Sequence, residues 1–163
     1  MTTVQAFIVN MRVCDFIMET YLSDLSDADL MARPGPGCNH LAWQLGHLIS
    51  SEQRLIETVV PGSAMPLPEA FDEKHSKKQK DNDDPKCFCT KEEYVDLFKK
   101  SRKNVRDAVA KMSDSDFDKP SPKGWEKMGP TMGAIVALIG HHGLMHAGQF
   151  AVARRKLGKP VVI

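Results

Sequence analysis

Apolar residues recur at alternating steps of three and four along four stretches of this chain, and no stretch alternates every second residue. That spacing matches the 3.6-residue turn of an α-helix, so each stretch lays one apolar seam along a helix that must be buried against another. The expected fold class is all-α. In the first stretch the seam is Val4, Phe7, Met11, Cys14, Met18 and Tyr21, the narrow seam of a bundle helix. The second runs from Asn39, a candidate N-cap behind the breaker PGPG, to Val59, with Leu41, Leu45, Leu48, Leu55 and Val59 in line until Pro61 and Gly62 stop it. The third opens with Thr90 and Glu93 at capping-box spacing and continues through Tyr94, Leu97, Phe98, Ser101, Val105, Ala108 and Met112. The fourth begins near Thr131, behind Pro130, and ends at Gly158 before Pro160.

Residues 1–163, of which 42% are hydrophobic, suffice for one well-filled core and are too few for two, so a single domain is expected. About 30 residues rich in proline and charge, PGSAMPLPEAFDEKHSKKQKDNDDPKCFC, separate helices two and three, and a connection that long in a compact domain acts as a crossover or a functional loop. Helices two and three are then expected to run parallel. LSDADL after helix one and MSDSDF after helix three echo each other, and each leads into a helix carrying Gly-His. This is the pattern of two helix pairs related by a pseudo-two-fold, or of an N-capped turn used twice.

Charge and cysteine content narrow the function classes. Lys and Arg number 22 against 21 Asp and Glu, and no basic stripe is interleaved with aromatics, so nucleic acid is not an expected partner. The longest apolar run, GAIVALIG, is too short to span a bilayer, and MTTVQAFIVNMRVCDF lacks the build of a signal peptide, so no membrane association is expected. Cys14, Cys38, Cys87 and Cys89 without such a signal fit a reducing, cytoplasmic setting.

The fourth helix carries HHGLMHAGQF, three histidines inside an otherwise apolar segment. At about 100° per residue, Ile135, Ile139, His142, His146, Phe150, Ala153 and Leu157 share one stripe, whereas His141 points away. The i, i+4 spacing of His142 and His146 sets two imidazoles one turn apart on one face, as a helix does when it offers two nitrogens to one metal ion. The alternative is a pair of core histidines bonded to carbonyls, and burying both without partners costs a few kcal/mol. Gly140, Gly143 and Gly148 suggest close helix approach or room for a ligand. A third ligand must come from elsewhere. Helix two offers His47, which shares a face with His40, Trp43, Ser51 and Arg54 outside the leucine seam; that face is either solvent or a pocket wall.

Taken as a set, NHLAWQLGHL on the second helix, H-x-x-x-H-x-x-Q on the last and R-x-x-L-G-x-P beyond it resemble the DinB-like superfamily of small metal-binding helical proteins. The resemblance covers nearly the whole chain, including the PGPG approach to helix two and the long connection. It implies a four-helix bundle with a crossover between helices two and three, and a divalent ion, nickel or zinc, held by His47, His142 and His146. Three histidines leave coordination positions open, the mark of a catalytic site. Members of the superfamily include S-transferases and isomerases that use a low-molecular-weight thiol as cosubstrate, and metal-dependent hydrolases; a non-catalytic metal-binding stress-response protein is the third reading. A small-molecule substrate is expected, and a homodimer is left open. Glu52 and Gln149 are the nearest polar candidates for a catalytic or ligand-orienting role, and Trp43, Gln149 and part of the 62–89 loop are expected to line the pocket.

Other features carry weaker expectations. Cys87-x-Cys89 with His75 is a poor second ion site, HSKKQK reads as a solvated lid edge, and Arg154 and Arg155 as cations at a helix C-terminus.

Overall fold

The computed structural model describes all 163 residues, with no β-strands. Four long helices, α1 (Thr3–Leu22), α3 (Leu41–Val59), α5 (Lys91–Val109) and α7 (Met132–Lys156), carry the four seams. One-turn helices intervene: α2 (Asp27–Leu30), α4 (Phe71–Lys74) and α6 (Asp114–Phe117). No helix is long and apolar enough to cross a membrane.

Helix directions follow from which ends meet. Leu41 and Leu45 at the start of α3 share a core cluster with Tyr94 and Phe98 at the start of α5, while Leu55, Ile56 and Val59 pack with Val105, Ala108 and Val109 near both C-termini. So α3 and α5 run parallel, joined by the long crossover as expected. α1 and α7 are also parallel, with Asn10 against Gly140, Cys14 against Gly143, and the Tyr21 carbonyl bonded to Arg154. α1 is antiparallel to α5, pairing Asp15 with Arg102 and Arg106 while Lys91 reaches the Ser23 carbonyl. The bundle therefore runs up, down, down, up.

Both echo segments form the same device. In α2 the Asp29 carboxylate accepts from the Ser26 N–H at 2.8 Å, and in α6 Asp116 accepts from Ser113 at 2.8 Å. Each one-turn helix then buries its last apolar residue, Leu30 or Phe117. Two units of long helix, capped turn and long helix make up the fold, which favours the helix-pair reading of the repeat.

Caps mostly sit where the spacing predicted. Thr90 and Glu93 close a capping box, Thr131 caps α7, and Gly158 takes a φ of 70° beyond its end, a conformation open to glycine. The second helix differs. His40, not Asn39, is the N-cap of α3: its Nδ1 accepts the Trp43 N–H at 3.0 Å in place of a side-chain oxygen, while its Nε2–H donates to the Asn82 carbonyl at 3.0 Å. The helix thus begins one residue later than the breaker suggested.

Two buried charge clusters were not legible in the seams. Arg102 lies fully inside the bundle, bonded to Glu52 at 2.7 Å, to Asp15, and to the Met11 carbonyl at 3.1 Å. Arg154, expected as a cation at a helix end, is also buried; it binds Asp24, the Tyr21 carbonyl at 2.7 Å and the Pro160 carbonyl at 2.8 Å, fastening the chain end and the α1–α2 turn to α7. Removing one partner from such a pair leaves a buried charge uncompensated, at a cost of about 3–5 kcal/mol.

Candidate metal centre

α7 turns His142 and His146 toward α3 and leaves His141 exposed, as the angular spacing requires. His47 comes from the facing side of α3, and one nitrogen from each of the three rings lies within 4.8 Å of the others. His142 Nε2 and His146 Nε2 are 3.3 Å apart. Two nitrogens bound to one tetrahedral ion at 2.0–2.1 Å stand roughly 3.3 Å apart, so this pair already has ligand spacing, and His47 needs a shift on the order of an ångström to close the third bond.

The protonation states suit that role. Gln44 donates its Nε2–H to the Asn39 carbonyl at 2.7 Å, so its Oε1 is the atom facing His146 Nδ1 at 2.9 Å. Nδ1 must therefore carry the proton, and the His146 Nε2 lone pair faces the centre of the triad. An outer hydrogen bond of this kind fixes the tautomer of a metal-binding histidine. Burial, followed by the neighbouring imidazoles, lowers His146 to about 3; burial, then His142 and Arg54, lowers His47 to about 4; and burial lowers His142. All three are neutral near pH 7. His142 Nδ1 is buried without a hydrogen-bond partner. Three neutral imidazoles with converging nitrogens fit a divalent cation, since an ion would take up the His146 Nε2 lone pair, which otherwise faces only the His142 ring at 3.3 Å.

His47 is held from behind. Trp43 is buried and stacks on the His47 ring at 4.9 Å between centroids and 7° between planes, and its Nε1–H donates to the Ser76 carbonyl at 3.0 Å. Ser76 belongs to the crossover, which bends inward at Ala70 (φ 57°) and drives His75 against Gly46, next to His47 in sequence. His75 donates from Nδ1 to the Phe71 carbonyl at 2.7 Å, so its Nε2 accepts the Tyr94 hydroxyl at 2.6 Å. The segment HSKKQK is therefore not a solvated edge throughout. Its histidine is 3% exposed and anchors the crossover on α3 over Gly46.

A pocket of about 250 Å³ opens on His47 and His142. Its wall corrects the expected lining. Trp125 and Met128, from the segment before α7, together with Leu55, Leu138 and Met145, supply the apolar surface, and Ser51 and Arg54 the remaining polar groups. Trp43 lies behind His47 instead of lining the pocket, and Gln149 and residues 62–89 do not reach it. Glu52 is also absent, because its position on α3 faces the bundle interior, where Arg102 and the Ser101 hydroxyl at 3.1 Å occupy the carboxylate. Burial pushes the Glu52 carboxyl up while Arg102 and Ser101 pull it back. No second ion site forms at Cys87, Cys89 and His75, since both His75 nitrogens are hydrogen-bonded within the fold.

Sequence reasoning missed Gln44, Trp125 and Met128. Gln44 had a signal, a polar side chain on the edge of the α3 seam three residues before His47. Trp125 and Met128 had none, because they lie in a non-periodic segment.

Comparison with known proteins agrees with this architecture. A family model of the DinB superfamily matches residues 17–150. The crystal structure of a conserved protein from Enterococcus faecalis superposes with a TM-score of 0.74 at 17% identity, covering 98% of this chain and 99% of that one, which bears on the fold alone. No curated protein matches the sequence.

Proposed function

The chain belongs to the DinB superfamily, and from that premise we propose that it is a divalent-metal-dependent enzyme that transfers or isomerises a small electrophile with the help of a low-molecular-weight thiol. His47, His142 and His146 would hold the ion, with nickel or zinc suited to three imidazoles. Bound there, the metal would supply Lewis acidity that keeps a coordinated thiol ionised at neutral pH.

The observation that carries the thiol reading over hydrolysis is the make-up of the pocket. Hydrolysis is helped by a carboxylate or free imidazole beside the metal, which takes the proton from bound water and passes it to the leaving group. The pocket opening on the triad contains neither, its only carboxylate candidate, Glu52, being bonded to Arg102 on the other side of α3. A thiol ionised by coordination needs no such base. Gln44 holds the His146 lone pair toward the centre, Trp43 fixes the plane of His47, and the apolar wall formed by Trp125, Met128, Leu138 and Met145 excludes water around the electrophile.

Cobalt- or nickel-substituted protein titrated with glutathione, bacillithiol and mycothiol tests the proposal. Thiolate coordination is expected as a charge-transfer band that is lost in His47→Ala. If no thiol perturbs the metal while an ester or amide is cleaved without one, hydrolysis replaces the transferase reading.

A further inference from the structure

The pocket beside the triad holds one ionic side chain besides the histidines, and that side chain has no acidic partner. Arg33, Arg102, Arg106 and Arg154 are each ion-paired with an aspartate or glutamate. Arg54, Arg12 and Arg155 are exposed and unpaired, and of these only Arg54 lines the metal pocket; its Nη2 donates to Ser51 Oγ at 3.2 Å, a neutral group that orients the guanidinium without neutralising it. Ser51 and Arg54 follow His47 by four and seven residues, so the three lie along one face of α3, with Arg54 about 10 Å along the axis from His47.

A second pocket of about 710 Å³ lies on the far side, and Arg54 and Trp125 line both. The two hollows therefore meet at this arginine. Ser50 lines the second one and is 2% exposed, yet its hydroxyl has no hydrogen-bond partner. Glu57, Asp72 and Glu73 line the second hollow and none lines the first, so an anion on an organic scaffold fits on the metal-pocket side of Arg54, against the guanidinium and Ser51.

We propose that Arg54 and Ser51 form an anion subsite through which the metal pocket selects small ligands carrying a carboxylate beyond their metal-binding donor. The inference rests on the metal reading above and adds the substrate class: a thiol or electrophile that is anionic at the end remote from the metal. A ligand reaching from the triad to Arg54 crosses the apolar wall, so the preferred molecule has a short uncharged middle between its donor and its carboxylate. Guanidinium and carboxylate meet as a two-pronged pair, whereas lysine at this position offers only a point charge.

Two hydroxamates of equal chain length test this without any thiol chemistry: butanohydroxamate, which is neutral beyond its chelating group, and succinate monohydroxamate, which ends in a carboxylate. Zinc-loaded protein is expected to bind the carboxylate probe about fivefold more tightly, a margin that shrinks with added salt, and its binding shifts the Arg54 Nε–H and Trp125 indole resonances. Arg54→Gln should bring the two probes to equal affinity without weakening the neutral one, and Arg54→Lys should keep part of the margin. Equal affinities in the unmodified protein, or an equal loss of both probes in Arg54→Gln, would overturn the subsite. If the protein fails to bind zinc at all, the metal reading falls separately, and succinate titrated into the metal-free protein decides the subsite. A saturable Arg54 Nε–H shift that is absent from the Arg54→Gln spectrum sustains it, and no shift refutes it.

Discussion

Gly46→Ala should destabilise this protein, against the usual sign of a glycine-to-alanine change inside a helix. Helix propensity alone favours alanine by about 1 kcal/mol. At Gly46, however, a Cβ would overlap Cδ2, Cγ and Nε2 of His75, a ring fixed by hydrogen bonds to the Phe71 carbonyl and the Tyr94 hydroxyl. Making room means pushing the ring out and losing both bonds, about 1 kcal/mol each, with overpacking adding about 1–3 kcal/mol. The net loss is about 3 kcal/mol, or roughly 6–12 °C in Tm for a chain of this size. Because the displaced segment carries the Ser76 carbonyl that holds Trp43, and Trp43 stacks on His47, metal affinity should fall as well. Gly148→Ala on the exposed side of α7 meets nothing within 4 Å and should raise stability by about 0.5–1 kcal/mol. Urea unfolding of both variants, and of Gly46→Ala in a His75→Ala background, provides the assay. The reasoning fails if Gly46→Ala matches or exceeds the unmodified protein, or if it costs as much when the His75 ring has been removed.

Three further outcomes are expected. His142→Ala or His146→Ala should abolish stoichiometric binding of a divalent ion measured by metal analysis, whereas His141→Ala should not, because His141 is exposed; His40→Ala should spare the ion but lower Tm through loss of the α3 cap. Gln44→Leu should weaken metal binding by about 10–100-fold in a chelator competition, since it removes the acceptor that fixes the His146 tautomer. In metal-free protein, stability should fall as pH drops from about 6.5 to about 4: burial holds His75 near 4, so the unfolded chain, with its histidine at the ordinary 6.5, takes up the proton first. His75 alone should account for about 2–3 kcal/mol between pH 7 and pH 4.5, read from urea midpoints and reduced in His75→Gln.

What the chain fixed locally was readable from residue spacing. The four seams, the capping box at Thr90, the stop at Gly158 and the placement of His142 and His146 apart from His141 all depend on groups within a few turns of one helix, where 100° per residue determines which neighbours share a face. The length of the connection after Gly62 carried topological information too, because it leaves room for α3 and α5 to run parallel. His47 as the third nitrogen came from resemblance, since by spacing alone its place on α3 read first as a surface position and only second as a pocket wall.

The tertiary structure decided everything that depends on partners distant along the chain. His146 and Gln44 are 102 residues apart, Arg154 and Asp24 are 130, and nothing in either local sequence announces the other. Arg154 read as a cation at a helix end, and Arg102 carried no sign of its place, until packing took both out of water and supplied their acids. His75, set in a lysine-rich loop, was drawn to Gly46 because the missing side chain leaves a ring-sized hollow on α3. The pocket wall likewise awaited the fold: Trp125 and Met128 have no periodic signal, and only the arrival of α7 beside α3 brings them over the histidines. Periodicity states which face of a helix is buried, but the groups that meet there are chosen by the docking of whole helices, where a hydrogen bond between distant residues contributes as much as one between neighbours.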